Sequence, residues 1–476
     1  MLVFLGFAMI AVFMALIMTK KLTPVLALIL VPTIFGLFAG AGLGLGEMVL
    51  ESMKSLTSTA ALLMFAIIFF GLMIDVGLFD PLVRFILRTL GNDPAKVVLG
   101  TAVLAGVVSL DGDGSTTFIL TTAAMLPIYL RLGLSPVVLT CVAGLANGTM
   151  NILPWGGPTA RAAAALDVTP SEVFVPMIPS LLAGMVVVMV FAWTLGLHER
   201  KRLAGAKPEF WATGGAGGSG ADRGGSVPAG PGLAGSRAAG QGGSGSVAVL
   251  EAPVLEASLA DSALDPNRPT LRPKLFWFNL ALTVAVMVVL VLDIVPLAFV
   301  FMVGSAIALV VNFPHVKDQA AQLVAHGQSI VAVVSMVMAA GVLTGVLNGT
   351  GMVDAMSKWL VGIVPESMGP FLAVITGLLS IPMTFFMSND AFYFGVLPVL
   401  SETAAHYGIG PAEMARASIT GQPVHMQSPL VPAILLLVSL AKVELGDHHK
   451  KVLWRSAVIS LVMLAVGLLL GVIPWG

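Results

Sequence analysis

Long apolar runs, broken by short polar punctuation, fill most of the chain from its second residue onward. A helix crosses the hydrocarbon core of a bilayer with about 20 such residues. Runs of that length predict spans at 2–19, 22–43, 56–78, 135–163 and 174–197, then at 275–292, 294–313, 327–350, 411–441 and 452–474. Two further apolar stretches, 95–130 and 369–402, are interrupted at their centres by small and polar residues. Between the two series the hydrophobic pattern collapses over 199–273, and residues 212–246 are largely Gly, Ser, Ala and Pro. That stretch buries too little apolar area to offset its ordering entropy, which predicts a disordered linker. The expected organisation is a first half at 1–198, the linker at 199–273 and a second half at 274–476.

Composition agrees with an all-α polytopic membrane protein. Apolar residues make up 57% of the chain and charged ones 10%, against about 45–50% and about 25% in soluble domains. A net charge of −1 leaves no basic surface for nucleic acid. The single cysteine, Cys141, excludes an internal disulfide framework and a Cys-rich metal cluster. No His-Glu-x-x-His or comparable catalytic constellation occurs, so an intramembrane enzyme is not expected.

Charge placement orients the spans. Of the 24 basic residues, 20 share one side when the Lys20–Lys21 loop is cytoplasmic; Lys54, Arg161, Lys358 and Arg416 fall on the other. Both termini are then outside, and the linker is cytoplasmic, in a multi-pass protein of the cell inner (plasma) membrane. The split requires 95–130 and 369–402 each to enter and leave on one side, as re-entrant hairpins opening inward and outward. Met1 opens the first span without a basic lead or small-residue cleavage site, so no cleaved signal peptide is expected.

The halves also match weakly in order. Gly77-Leu78-Phe79-Asp80 parallels Gly351-Met352-Val353-Asp354, and at the same offset of 274 residues Asp113–Phe118 parallels Met387–Phe392. Leu126-Pro127 then answers Leu397-Pro398, and Asn147–Asn151 answers Gln422–Gln427. Five spans per half is odd, so the second copy would insert upside down. Inverted repeats with broken helices mark secondary transporters, whose sites lie near the midplane.

Unwound backbone at membrane depth is tolerated only inside protein or along a water-filled cavity. Four breaks therefore form the candidate site. The first hairpin tip holds Asp111 and Asp113, which suit a hard cation or a proton, with one of them alternatively a helix cap. Ser115, Thr116 and Thr117 follow, with hydroxyls and helix N-terminal amides that suit a carboxylate. The second break carries Asn147, Thr149, Asn151, Gly156, Gly157 and Thr159, with Arg161 either pairing with a substrate carboxylate or standing as an outer-loop charge. The outward tip supplies Ser388, Asn389 and Asp390. The fourth break has Gln422, Gln427 and Ser428, plus His425 as a proton-transfer group or a hydrogen-bonded structural histidine. His448 and His449 are expected to be solvated in an inner loop. The acidic and neutral character of the breaks favours a cation with an anion over a bare anion.

These motifs resemble the CitMHS family of citrate–divalent metal–proton symporters, within the wider ion transporter superfamily. The likeness rests on Leu5-Gly6-Phe7 through Met18-Thr19-Lys20, Leu28-Ile29-Leu30-Val31-Pro32, Asp111–Thr117, Asn151–Thr159, Ser388-Asn389-Asp390 and Gln422–His425. It implies import of citrate complexed with a divalent cation of the Mg or Ca type, driven by protons, without a prosthetic group. On that resemblance Asp111, Asp113 or Asp390 would meet the metal, and one aspartate or His425 would carry the proton. It also implies a homodimer whose scaffold (spans 1–2, 174–197, 275–313 and 452–474) supports an elevator-type transport domain (56–163 with 327–441). A sodium-coupled di- or tricarboxylate transporter of the same superfamily is the alternative.

Overall fold

The computed structural model describes residues 1–19, 21–89, 91, 93–112, 114–205, 268–292, 294–363 and 365–476. Asp113 and nearly all of the expected linker lie outside the described residues. Among the described residues there are helices and no strands. Seven helices among the described residues are long and apolar enough to cross a membrane, and shorter apolar ones accompany them.

The first half runs α1 (Leu2–Met18), α2 (Pro24–Phe38), α3 (Leu45–Asp75), α4 (Asp80–Thr89), α5 (Pro94–Val108), α6 (Gly114–Leu132), α7 (Pro136–Met150), α8 (Gly157–Leu166), α9 (Pro170–Phe174) and α10 (Ile178–Gly205). The second half runs α11 (Phe276–Leu292), α12 (Leu297–Asn312), α13 (Val316–Ala325), α14 (Gly327–Gly349), α15 (Met352–Val361) and α16 (Leu372–Phe386). A π-helical turn at Ala391–Val396 then leads into α17 (Leu397–Ala405). It ends with α18 (Pro411–Ile419), α19 (Gln422–His425), α20 (Pro432–Leu440) and α21 (Leu445–Leu469).

Local chemistry explains most boundaries. Proline stands at the start of α2, α5, α7, α18 and α20, where its missing N–H costs nothing. Asp93 caps α5 by accepting from the Ala95 amide at 3.0 Å, and Arg200 of α10 donates to the same carboxylate from Nε at 3.1 Å. The Arg200 hydrogen bond holds the Asp93 carboxyl below its ordinary value. Its stabilisation is therefore present above an unfolded carboxylate value of about 3.9 and lost as pH falls through the lower folded value.

One expectation changes. The expected span 56–78 is the C-terminal part of a longer helix, because α3 begins at Leu45 and carries Glu47, Glu51 and Lys54 on its first turns. The breaks expected within 135–163 and 411–441 are there, dividing the first into α7 and α8 and the second into α18, α19 and α20.

Packing gathers most helices around two centres, with α1 lying on α2, α15 and the π turn. α3 lies against α14 and α12, while α2 lies against α14. The hairpin arms α5 and α6 pack on α7, and α10 packs on α5, α7 and α21. α21 lies in turn against α7 and α19. The resemblance placed 174–197 and 452–474 with spans 1–2 and 275–313, and α3 with the hairpins. The extensive contacts of α10 and α21 are instead with the hairpins and broken helices, and those of α3 with α12 and α14. The reason is steric fit: α10 brings Gly196 onto the backbone of Ala95 in α5, and Gly184 against Thr149 of α7 and Met463 of α21.

Candidate functional site

The two broken helices cross where one has no side chain. A Cβ on Gly148 of α7 would stand 3.1 Å from the Pro423 backbone and from the Met426 Cβ. That contact sets the second and fourth breaks side by side, and each draws in a hairpin tip.

At the first tip, Ser109 and Asp111 form a short 3₁₀ turn that ends at Gly112, whose φ of +78° is left-handed. A side chain there would be strained and would strike Trp155, 2.8 Å away at Cδ1. Trp155 Nε1 donates to the Leu110 carbonyl at 2.8 Å, fastening the tip to the second break. Asn147 Nδ2 donates to Ser109 Oγ at 3.0 Å, and Thr117 Oγ1 donates to the same oxygen at 3.3 Å. Asn147 is only 3% exposed, and its Oδ1 has no hydrogen-bond partner among the described residues. An orphaned buried carbonyl costs roughly 1–3 kcal/mol, so it marks a place for a ligand. Asp111, two residues after Ser109 on the same tip, is buried, and Ser115 and Thr116 are half-buried on the first turn of α6.

At the second tip, Ser388 Oγ accepts from the Ala391 amide at 3.2 Å and so starts the π turn. Asp390 Oδ1 accepts from Arg161 Nε at 2.6 Å, with the two side chains 10% and 21% exposed. Gln422 ties this tip to the second break. Its Oε1 accepts from Asn151 Nδ2 at 3.1 Å, while its Nε2 donates to Asn389 Oδ1 at 3.2 Å and Tyr393 Oη at 2.8 Å. All four breaks thus converge, with two polar groups of distinct character. One is acidic, around Asp111 and Asn147; the other is an ion pair set in amides.

Several expected site residues serve the framework instead. Thr149 Oγ1 donates to the Leu145 carbonyl, and Thr159 Oγ1 donates to the Ile152 carbonyl across the break, both fully buried. Ser428 Oγ donates to the Phe385 carbonyl, and Gln427 Nε2 donates to the Gly144 and Pro423 carbonyls. Gly156 and Gly157 form the entry to α8, where a Cβ on Gly156 would strike the Asn151 carbonyl at 2.5 Å. His425 Nδ1 donates to the Thr384 carbonyl at 2.5 Å, which favours its hydrogen-bonded structural alternative. Arg161 is neither a loop charge nor free for a substrate carboxylate while Asp390 holds it.

The expected solvated loop at His448 and His449 is overturned. α21 begins at Leu445, so His448 is fully buried on its first turns. Its Nε2 donates to Gln427 Oε1 and its Nδ1 accepts from Thr140, each at 3.1 Å, while His449 Nε2 donates to the Gln427 carbonyl at 2.7 Å. Tyr393 is a site residue that the polar breaks do not point to. Tyr393 sits three residues past Asp390, a helical register that could have found it. No group of three or more His, Cys, Asp or Glu able to hold a metal occurs among the described residues. Asp111 and Asp390 therefore do not form part of a ready-made protein cage there.

The profile of the CitMHS family, described as citrate transporter, matches residues 2–421. The chain belongs to the CitMHS family. A Bacillus subtilis (strain 168) protein named "Citrate transporter" is 46% identical over 100% of both chains. Another from that organism, "Mg(2+)/citrate complex secondary transporter", is 44% identical over 99% of both. Among solved structures, the Alcanivorax borkumensis YdaH transporter aligns with 89% of this chain and 86% of its own, at 15% identity and a TM-score of 0.47. As a CitMHS protein with several membrane-length helices, this chain is a membrane transporter and not an enzyme.

Proposed function

We propose that this CitMHS protein imports citrate complexed with a divalent cation in symport with protons, by an elevator-type movement. The observation that carries the reading is the Arg161–Asp390 pair. It occupies the arginine at the converging breaks, while Asp111 and the Asn147 carbonyl oxygen stand at the other tip. A bare citrate trianion would meet no compensating charge there. Its complex with a divalent cation carries about one net negative charge and brings a metal that oxygen ligands suit. Asp111 and Asn147 Oδ1 would face the metal. Asp113, on the same tip, is assigned with them.

The free citrate carboxylates would meet the hydroxyls of Ser115 and Thr116 and the first-turn amides of α6 and α8, which lack intrahelical acceptors. Protonation of Asp390 would release Arg161 to a citrate carboxylate, so that proton and anion arrive together. His425, tied at Nδ1 to the same hairpin, would hold the tip in register.

The packing supports an inverted repeat of five spans and a hairpin each. Gly77 and Gly351 are both left-handed and both precede ten-residue helices, α4 and α15. α2 packs on α14 as α12 packs on α3, a reciprocal exchange between halves. On this reading the scaffold is α1–α3 with α11, α12 and α14, and the moving body is the two hairpins with α7, α8, α10 and α18–α21. Both termini lie outside, the linker is cytoplasmic, and the scaffold carries the homodimer contact. The relative named as a Mg(2+)/citrate complex transporter supports the cargo.

Uptake of labelled citrate into proteoliposomes, across a panel of divalent cations and several pH values, tests the proposal. Uptake that needs Mg²⁺ or Ca²⁺ and an inward proton gradient is expected. Uptake that needs a sodium gradient and ignores divalent cations would overturn it.

A further inference from the structure

The symmetry-related positions of α1 and α11 are not packed alike. α1 lies closely on α15 and the π turn, with Phe7 and Trp359 edge-to-face at 5.2 Å and Ile10, Met356 and Val399 in a buried cluster. α11 stands away from the corresponding α4 and first hairpin, and the gap is a crevice of about 750 Å³. Its walls are Pro81 and Phe85 of α4, Val107 and Leu110 of the hairpin, and Leu280 and Val284 of α11. The volume lies within the range of about 300–1,000 Å³ typical of ligand sites. Phe85 and Val284 are 65% and 52% exposed, so the crevice opens to the surroundings of the protein.

Charge says what enters. α4 is amphipathic, and Pro81, Phe85 and Arg88 follow one another at i, i+4 and i+7 along one stripe. Arg88 therefore stands one turn beyond the wall of the crevice, flanked by Arg84. Both arginines are exposed and neither is in an ion pair among the described residues. The acid that shares their face, Asp80, is held instead by Arg268 at 3.0 Å. Apolar walls topped by two unpaired cations match an acyl chain beneath an anionic headgroup.

We propose that this crevice binds one anionic phospholipid, with the headgroup on Arg84 and Arg88 and an acyl chain against Val107, Leu110 and α11. The site adjoins the transport site, because Leu110 directly precedes Asp111 and its carbonyl holds Trp155. The lipid would fill on this side the place that side chains of α1 fill on the other.

The test is retention of phosphatidylglycerol by the full-length protein in mild detergent, measured by native mass spectrometry against phosphatidylcholine. One phosphatidylglycerol per chain is expected in preference to phosphatidylcholine. Arg84→Gln with Arg88→Gln should weaken retention about 30-fold, at roughly 1 kcal/mol per basic residue. These side chains are exposed, so the variant should fold. Val284→Trp, which fills the crevice and leaves both arginines, should also lose the lipid. Equal retention of both lipids, or unchanged retention in either variant, overturns the proposal. So does a crevice that retains no lipid.

Discussion

The Arg161–Asp390 pair can be weighed against its surroundings. Removing one partner of a buried ion pair leaves an uncompensated charge, at about 3–5 kcal/mol, whereas removing both is often near neutral. With Arg161 at 21% exposure the lower end applies. Arg161→Gln should therefore lower thermal stability in detergent more than Arg161→Gln with Asp390→Asn together. Asp390→Asn and Asp111→Asn should each abolish citrate uptake while the protein stays folded in membranes. Near-normal uptake by both would remove the metal and proton roles. The residue types of this site were legible in the sequence, since Asp111, Asn147, Arg161 and Asp390 each stand in a polar break. Their partners were not. Arg161 meets a carboxylate 229 residues away, and no local periodicity carries such a pairing. His448 was misread for a related reason: its charged neighbours suggested water, while the polar atoms that bury it come from α7 and the break after α19.

At the scale of elements, the site depends on the crossing of α7 and α19. Gly148→Ala would bring a Cβ to 3.1 Å from the backbone of Pro423, which cannot rotate aside. Overpacking of this kind costs about 1–3 kcal/mol and moves the helices it separates. A marked loss of uptake is expected, readable as a drop in maximal rate at saturating metal–citrate. Gly46→Ala is the control, since nothing lies within 4 Å of it and α3 is helical there. It should gain about 0.5–1 kcal/mol and leave uptake unchanged. The breaks themselves were foreseeable, because paired prolines and glycines cannot continue a helix. The short helices α4, α13 and α15 were not. Their apolar positions recur at helical spacing among charges, and span-length windows average that signal away.

At the scale of the molecule, the described helices gather around two centres, and a cleft between these tests whether they move. Its volume is about 660 Å³. Ser52, Thr344 and Asn348 line one wall, from α3 and α14. Asp167, Ser401 and Glu402 line the other, from the end of α8 and from α17. The expected linker stretch at 212–246 lies outside the described residues, and both of its anchors are outside that stretch. Arg268 donates to the Asp75 and Ile74 carbonyls, and Glu199 accepts from the Ser135 amide. Deleting 212–246 should accordingly leave uptake intact; an inactive deletion would show that the segment does more than connect.

The cleft allows the stronger test, because an elevator must change the spacing of its walls while a fixed pore need not. Cys141 is fully buried, so Cys141→Ala gives a background without reactive thiols. Introducing Asn348→Cys and Ser401→Cys places one thiol on each wall. A short reducible cross-linker should then stop citrate uptake, and reduction should restore it, while either single variant treated alike keeps transporting. Metal–citrate binding should survive the cross-link, since the converging breaks lie within one of the two groups. Uptake that continues with the walls tied would mean that the cargo passes without relative movement of the groups, and the elevator assignment would fall while the family and the cargo stand.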